Sequence, residues 1–220
     1  MRLSTVQRME CLAFAAHELR TPLATQRALL ELALADPDAD VAVWREIGED
    51  VLHACNRQEQ MLEACLALAH GRETPHRCEP VDLAAIAGDT LRAHDRGSLT
   101  TVAALEPART SGDPDLLERL AANLVSNAIR HNLPGGRIEV ATGTESGRAH
   151  LTVANTGRLI PPAKLPRLFQ PFERLDSRAD GIGLGLAIVQ AIADAHDAVV
   201  TAHARTGGGL GIDVAFPALD

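Results

Sequence analysis

The first 70 residues carry an apolar pattern that restricts their fold more than any other feature of this sequence. Steps of three and four residues connect a seam made of Met9, Leu12, Ala16, Leu19, Leu23, Gln26 and Leu30. A second seam runs from Trp44 to Leu68, after the helix-breaking segment Asp36-Pro37-Asp38. These seams predict two helices joined by a short loop. A lone antiparallel hairpin leaves apolar surface uncovered, and pairing two hairpins into a four-helix bundle would cover it.

A different pattern begins after residues 71–80, where a glycine and two prolines interrupt the helical periodicity. We therefore predict a helical hairpin over residues 1–70, a linker over 71–80 and a second domain over 81–220. The predicted helices of the second domain cover 81–93, 113–131 and 184–196, and its predicted strands cover 100–105, 137–142, 148–154, 198–204 and 210–216. Such a mixture predicts an α+β sandwich with its helices on one face of a sheet.

Charge and composition argue against several classes of protein. Acidic residues outnumber basic ones by 29 to 21 without a dense Lys/Arg cluster, which disfavours nucleic-acid binding. The sequence has no apolar run of about 18 residues and no signal-peptide pattern. We expect a cytoplasmic protein, or the cytoplasmic portion of a membrane receptor whose sensor segment is absent from this sequence. The four cysteines lack zinc-ligand spacing, so we predict that they are reduced.

The segment from His17 to Leu23 departs from ordinary helix design, because Pro22 stands inside a continuous seam. A proline in a helix interior costs roughly 3 kcal/mol and removes a backbone hydrogen bond, so we predict a bend there. The seam register turns His17 outward, with Thr21 one turn further along the same face. An exposed imidazole beside the carboxylate of Glu18 can act as a nucleophile. A His-Glu pair alone, however, is more often an ordinary surface feature.

Two features of the second domain favour a phosphate ligand. Asn123 and Asn127 stand one turn apart at the edge of an apolar stripe. Their amides can make structural hydrogen bonds, or they can join Arg130 in holding Mg²⁺ and a polyphosphate. The glycine-rich run over 181–186 precedes a predicted helix, where backbone N–H groups can approach phosphate. This run alone is weak support, and no βαβ unit surrounds it to make a dinucleotide site.

Four segments of the chain resemble, in the same order, the motifs of sensor histidine kinases of two-component systems. HELRTPL over 17–23 resembles their phosphoacceptor box, and NLVSNAIRHN over 123–132 resembles their asparagine box. LFQPF over 168–172 resembles their phenylalanine box, and GIGLGL over 181–186 resembles their second glycine box. The resemblance covers nearly all of the chain. It implies a dimeric helical hairpin followed by an α+β ATP-binding domain of the Bergerat type.

The resemblance also implies a role for each matching residue. His17 would be phosphorylated by ATP, Glu18 would be its acid/base partner, and Glu18 with Thr21 would dephosphorylate a response regulator. Asn127 would bind Mg²⁺. The implied ATP-binding residues are Asn123, Asn127, Arg130, His131, Asn132, Asn155, Gly157, Phe169, Phe172, Gly181, Gly183, Leu184, Gly185 and Leu186. Residues 173–180 would form a mobile lid over ATP. The implied partners are the receiver domain of a response regulator and a second copy of this chain.

Some positions depart from the pattern of that family. Asn155 stands where the family usually has an aspartate that accepts a hydrogen bond from the adenine amino group, and Leu159 replaces an expected glycine. An amide oxygen still accepts, but the loss of charge assistance roughly halves the bond strength. This leaves open a kinase-impaired dimeric signalling or phosphatase module. A stand-alone ATPase is disfavoured, because Asn123 occupies the place of the catalytic glutamate in related ATPases. Asp197 follows the last predicted helix, where glycine is common.

Overall fold

The computed structural model of this chain describes residues 22–36, 39–70, 78–173 and 183–219. The chain divides into two compact units, Met1–His70 and Gly71–Asp220. Several sequence predictions lie outside the described residues: the roles of His17, Glu18, Thr21 and Gly181, the bend beside Pro22, and most of the lid over 173–180. Within the described ranges, no helix combines the length and the apolar character that a bilayer crossing requires.

The N-terminal unit contains a helical hairpin. Helix α1 covers 22–35 and helix α2 is Val41–His70. Asp40 begins α2, because its Oδ1 accepts hydrogen bonds from the backbone N–H groups of Ala42 and Val43 at 2.9 and 3.0 Å. This arrangement satisfies donors that have no partner within the helix. The predicted break between two helices therefore occurs at the expected acidic segment.

Two amide side chains, buried Gln26 and half-buried Gln58, lie between the two helices of the hairpin. Gln26 is only 8% exposed, and its Nε2 donates to the backbone carbonyl of Val51 and to Oε1 of Gln58, each at 3.4 Å. Leu23 and Leu30, which belong to the same predicted seam, are 55% and 38% exposed. A single hairpin thus buries the polar member of its seam and leaves apolar members uncovered.

The C-terminal unit is built on a five-stranded sheet. Its elements in chain order are β1 Glu79–Asp82, α3 Leu83–Ala93, β2 Thr100–Leu105, β3 Arg109–Gly112, α4 Pro114–Arg130, β4 Arg137–Glu145, β5 Arg148–Asn155, a 3₁₀ helix Pro162–Arg167, α5 Gly185–Ala195, β6 Val199–Ala204 and β7 Leu210–Pro217. The sheet order is β2-β4-β5-β7-β6. Among the strands of the described residues, the β2–β4 pair alone is parallel, and β1 and β3 form a separate antiparallel ribbon.

One face of the sheet and the helices enclose the core of this unit. Helix α4 begins at Asp113, whose side chain accepts hydrogen bonds from the first backbone N–H groups of the helix. The fully buried side chains come from both layers and include Leu117, Leu120, Leu124, Ile138, Leu151, Val189, Val214 and Phe216. The predicted α+β sandwich is confirmed. A core dominated by aliphatic residues agrees with an aromatic content of 2%.

Helix α5 ends without the glycine that its resemblance to the family suggested. Asp197 adopts a left-handed conformation with φ = 50°, a region that favours glycine. The next residue closes the turn, because the N–H of Ala198 donates to the carbonyl of Ala193 at 2.9 Å. The usual turn at the end of a helix therefore forms with aspartate in the glycine position.

Candidate functional site

The two asparagines of helix α4 have different hydrogen bonds. Both are half-buried, as expected at the edge of an apolar stripe. Asn123 donates from Nδ2 to the carbonyl of Arg119 at 2.8 Å, which leaves its Oδ1 directed away from its own helix backbone. The side chain of Asn127 makes no hydrogen bond within the described part of the chain. Asn127 therefore keeps an available oxygen for an external ligand.

Helix α5 brings its N-terminus to Asn123. A Cβ atom placed on Gly185 would lie 3.2 Å from Oδ1 of Asn123. Leu184 precedes the helix and provides no side-chain hydrogen bond to its first turn. The N-terminal amide groups of a helix attract anions because they point outward and carry partial positive charge. The structure thus brings Gly185 of the predicted glycine segment beside Asn123 of the predicted asparagine segment.

The end of strand β5 contributes Asn155, which is 3% exposed. Its Nδ2 donates to the backbone carbonyl of Thr156 at 2.7 Å and approaches that of His131 at 3.5 Å. Gly157 packs against the same carbonyl, because a Cβ atom placed on it would lie 2.8 Å from His131 O. Asn155 and Gly157 therefore both lie against the C-terminal end of α4.

The residues after Asn127 have unequal access to a ligand. Arg130 is exposed and available. Asn132 is fully engaged: its Oδ1 accepts from Thr156 Oγ1 at 2.6 Å and from the N–H of Leu133, and its Nδ2 donates to two backbone carbonyls. His131 places its carbonyl beside Asn155. The geometry thus gives Asn132 a structural function, whereas its predicted contact with ATP remains a prediction.

The phenylalanine and second glycine segments meet at the two ends of the predicted lid. The N–H of Phe172 donates to the carbonyl of Gly183 at 2.9 Å, and both residues have positive φ, of 66° and 73°. Phe169 is half-buried, and Leu184 and Leu186 are buried. The leucine side chains therefore anchor α5 in the core. A ligand could reach the backbone around them but not the side chains themselves.

The glycine-rich turn between β6 and β7, the glycine hairpin, lies behind Asn155 and was not predicted from the sequence. The β6–β7 turn contains Gly208 and Gly209, with φ of 89° and 104°. The N–H of Gly209 donates to the carbonyl of Arg158 at 3.0 Å, and a Cβ atom on Gly209 would overlap the carbonyl oxygen of Asn155. The run Gly207-Gly208-Gly209 was the available signal, but a glycine triplet between two strands is also typical of a plain turn.

A second unpredicted residue, His196, connects the two helices of the site. It is buried at the C-terminal end of α5, where Nδ1 lies 2.8 Å from the carbonyl of Ile192. Its Nε2 accepts a hydrogen bond of 3.0 Å from the N–H of Asp113, the residue that begins α4. Because α4 and α5 contact each other at Asn123 and at Asp113, they run in opposite directions. His196 therefore fixes α5 at the end opposite to the asparagine pair.

A cavity of about 360 Å³ lies elsewhere in the C-terminal unit. It is an open hollow in the connection between α3 and β2, lined by His94, Asp95, Arg96, Gly97, Leu99 and Thr101. None of the residues predicted from sequence lines it. This hollow is therefore separate from the asparagine site.

An ion cluster holds the glycine hairpin against strand β4. Glu139 accepts from Arg205 at 3.0 Å and from Arg137 at 2.8 Å. The hydrogen bond from Arg205 holds the pKa of Glu139 below the usual glutamate value of 4.5, against the opposing effect of burial, and the charge of Arg137 adds to this lowering. Arg205 begins the turn that contains Gly208 and Gly209. The cluster therefore stabilises the turn behind Asn155.

Replacing Glu139 with glutamine is expected to lower the free energy of unfolding by about 0.5 kcal/mol at neutral pH, a small effect because the ion pairs are partly exposed. A carboxylate with a lowered pKa stabilises the folded state above its unfolded pKa and loses this effect as the pH falls through the folded pKa. Denaturant unfolding at pH 7 and at pH 3 would measure the difference. A difference that persists unchanged at the lower pH would contradict the assigned role of the charge.

The uncapped N-terminus of α5 lies beside Asn123 in an α+β sandwich, an arrangement suited to binding the phosphates of a nucleotide, and comparison with known proteins agrees. Residues 112–220 match the family profile described as histidine kinase-, DNA gyrase B-, and HSP90-like ATPase. Residues 7–74 match the profile of the His Kinase A (phospho-acceptor) domain. The two profiles occur in the order predicted from the sequence motifs.

Curated relatives carry both regions. The chain is 41% identical over 213 residues to the sensor protein CutS of Streptomyces coelicolor, a match that covers 92% of this chain and 51% of CutS. It is 32% identical over 223 residues to the sensor-like histidine kinase SenX3 of Mycobacterium tuberculosis, covering 96% of this chain and 54% of SenX3. The chain therefore spans about half the length of these curated relatives.

Solved structures share the fold. The histidine kinase AdeS of Acinetobacter baumannii superposes with a TM-score of 0.71 at 22% identity, covering 93% of this chain and 98% of the solved AdeS chain. The mycobacterial sensor histidine kinase MprB gives a TM-score of 0.58 at 28% identity, covering 64% of this chain and 97% of the solved MprB chain. With both profiles and these relatives, the chain belongs to the sensor histidine kinases of two-component systems.

Proposed function

We propose that this chain is a protein-histidine kinase core that transfers the γ-phosphoryl group of ATP to His17 and then to an aspartate of a response regulator. The observation that carries this proposal is that the amide of Asn127 has no hydrogen-bond partner among the described residues and lies on the helix whose Asn123 meets the N-terminus of α5. Phosphoryl transfer requires mainly alignment and charge neutralisation. The amide pair, the helix N-terminus and exposed Arg130 are suited to both tasks.

The two units would contribute different residues to the reaction. The imidazole of His17 would attack the γ-phosphorus, forming an N–P bond as the bond between the γ-phosphorus and the bridging oxygen breaks and ADP leaves. Glu18 would take the proton from the other ring nitrogen. Asn127 has an oxygen suited to Mg²⁺, with Asn123 beside it, and bound Mg²⁺ would neutralise charge on the phosphates. Arg130 would bind the polyphosphate directly.

The uncovered face of the hairpin supports dimerisation. Leu23, Leu30 and Leu34 share one face of α1 and are 55%, 38% and 74% exposed in a single chain. Large exposed apolar side chains on adjacent turns are typical of an interface. We therefore propose a homodimer in which two hairpins form a four-helix bundle that presents His17 to the ATP-binding unit. The receiver domain of a response regulator would bind the same bundle, where Glu18 and Thr21 would support dephosphorylation of the regulator.

Labelling with γ-³²P ATP tests the proposal. Incubation with magnesium is expected to give a protein-bound label that is lost in acid and retained in base, because an N–P bond is acid-labile. The same reaction with α-labelled ATP should leave the protein unlabelled. Steady release of phosphate without any protein-bound label would instead support a stand-alone ATPase, and the kinase proposal would fail.

Replacing Asn127 with alanine is expected to reduce the initial rate of autophosphorylation by about 100-fold or more, because loss of a metal ligand removes several kcal/mol of charge stabilisation. The fold should tolerate this change, since the amide has no hydrogen bond within the described residues. Filter-binding assays at several magnesium concentrations would measure the rate, and thermal unfolding would report the stability.

Asn132→Ala is the matched control for this experiment. The amide of Asn132 holds Thr156 and Leu133, so its removal should cost about 1–3 kcal/mol of stability. We expect the two variants to differ in what they lose: Asn127→Ala should lose activity, and Asn132→Ala should lose stability. If Asn127→Ala unfolds as readily as Asn132→Ala, its amide has a structural function that the proposal excludes.

A further inference from the structure

The two glutamines between the helices of the hairpin leave hydrogen-bonding capacity unused. Nε2 of Gln26 lies 3.4 Å from the carbonyl of Val51, 3.5 Å from Sγ of Cys55 and 3.4 Å from Oε1 of Gln58. These contacts are longer than a normal N–H···O bond of about 2.9–3.0 Å. Nε2 of Gln58 is buried without a hydrogen-bond partner among the described residues, and Oε1 of Gln26 accepts no hydrogen bond from them. One hairpin therefore holds an unused donor and an unused acceptor at the same level.

The surroundings of these amides favour contact with another chain. Gln26 is only 8% exposed, and a polar group that is buried and left unpaired destabilises a fold. Gln58 as a whole is half-buried, so its terminal amide has room to turn toward a neighbouring chain. Leu23 and Leu30, about one turn to either side of Gln26 on α1, are 55% and 38% exposed. The unused amide groups thus lie between apolar side chains that are themselves uncovered.

A two-fold axis parallel to the helices would bring the unused groups of two copies together. Such an axis through the centre of a four-helix bundle relates each helix to the diagonally opposite one. Each α1 then lies beside its own α2 and also beside the α2 of the other copy. Gln26 of one copy therefore meets Gln58 of the other at the level where it already meets its own Gln58. Because the arrangement is reciprocal, this contact forms twice.

We propose that Gln26 and Gln58 of two copies form a layer of four amides, in which Nε2 of each Gln58 donates to Oε1 of Gln26 in the other copy, and that this layer selects the partner chain. The inference rests on the homodimer of the proposed function. A partner with apolar side chains at this level would leave the amides unpaired. A pairing shifted by one helical turn would place Gln58 against Leu23 or Leu30 of the other copy. The fitting partner is thus a second copy of this chain, parallel and in register.

A polar layer of this kind acts on specificity more than on stability. In helical bundles, a buried amide lowers the stability of the assembly but restricts its register and the number and identity of its chains. Discrimination comes from the unpaired amides that a wrong partner would leave behind. The layer therefore disfavours mixed dimers with hairpins that have a wholly apolar seam.

Mixing two complementary variants tests the layer on the full chain. Gln26→Leu keeps the donor of Gln58, and Gln58→Leu keeps the acceptor of Gln26. In the mixed dimer one Gln58 still meets one Gln26 across the interface, whereas in each homodimer the remaining glutamines lie diagonally apart. Native mass spectrometry, with one variant isotope-labelled, would measure all three dimers. We expect the equilibrium constant for forming the mixed dimer to exceed its statistical value about tenfold or more.

The double variant Gln26→Leu/Gln58→Leu is the matched comparison. Its layer is wholly apolar, so its homodimer should be at least as stable as that of the unaltered chain. Mixed with the unaltered chain, it should give a mixed dimer at about one tenth of the statistical share or less, because two amides would face leucine. If either single variant fails to dimerise, this mixture still decides.

The outcomes separate this inference from the proposed function. Statistical mixing of the double variant with the unaltered chain would overturn the amide layer and leave the homodimer in place. A monomeric unaltered chain would overturn both the layer and the proposed dimer. Transfer of the γ-phosphoryl group is tested independently by labelling, because neither glutamine belongs to the proposed ATP site or to the segment over 17–23.

Discussion

Replacing His17 with glutamine is expected to abolish the acid-labile label completely. An imidazole nitrogen can form a bond to phosphorus, whereas the amide of glutamine is not a nucleophile. Glutamine keeps a polar side chain of similar reach on the same predicted outward face, so the helix should not be disturbed. Gel autoradiography after incubation with γ-labelled ATP would measure the loss, and binding of a non-hydrolysable ATP analogue should be unchanged.

His203→Gln is a suitable control for this variant, because His203 is exposed on strand β6 and belongs to no part of the proposed site. It should be labelled as strongly as the unaltered protein. Retention of the acid-labile label in His17→Gln would show that another histidine accepts the phosphoryl group. Loss of the label in both variants would indicate a general effect of removing imidazoles.

Much of the C-terminal fold could be predicted because its signals are local. The prediction of a strand over 100–105 is confirmed by β2, and the helix predicted over 113–131 is confirmed by α4 at Pro114–Arg130. In both segments, apolar periodicity is bounded by glycine, proline or a capping aspartate. The predicted boundaries therefore differ from the structure by only a residue or two.

The short ribbon formed by β1 and β3 could not be predicted in the same way. Glu79–Asp82 contains a proline and only one buried side chain, and the segment lay partly in a predicted linker and partly in a predicted helix. Its strand conformation comes from pairing with Arg109–Gly112, which lies far along the chain. Such pairing depends on tertiary structure, and a four-residue segment carries too little periodicity to reveal it.

Residues of the candidate site that belong to sequence motifs were predicted. Residues whose role depends on contacts far along the chain were missed. Asn123 and Gly185 could be assigned from local patterns, and the structure brings them together. His196 has no such pattern, because its importance comes from a hydrogen bond to Asp113, 83 residues away. The sequence also indicated that Asn155 weakens adenine recognition through lost charge. The hydrogen bonds that its Nδ2 donates add a second effect on this residue, because they fix the orientation of the amide.

Replacing Gly209 with alanine is expected to destabilise the C-terminal unit by about 3 kcal/mol or more. Its φ of 104° is strained for any residue with a Cβ atom. The added Cβ would also overlap the carbonyl oxygen of Asn155 and lie 2.9 Å from the nitrogen of Gly157. Both neighbours are backbone atoms of residues that are predicted to bind ATP. ATP affinity should therefore fall together with the unfolding temperature, as measured by nucleotide titration and scanning calorimetry.

Gly207→Ala, in the same turn, separates this mechanism from a general effect of losing glycine. A Cβ atom on Gly207 would meet no atom within 4 Å, and its φ does not require glycine. That variant should change the free energy of unfolding by no more than about 0.5 kcal/mol and should bind ATP normally. Equal behaviour of the two variants would mean that the turn does not press against Asn155. Because the turn supports Asn155 and Gly157, a selective effect of Gly209→Ala would also explain why a glycine hairpin lies behind the strand end that is predicted to bind adenine.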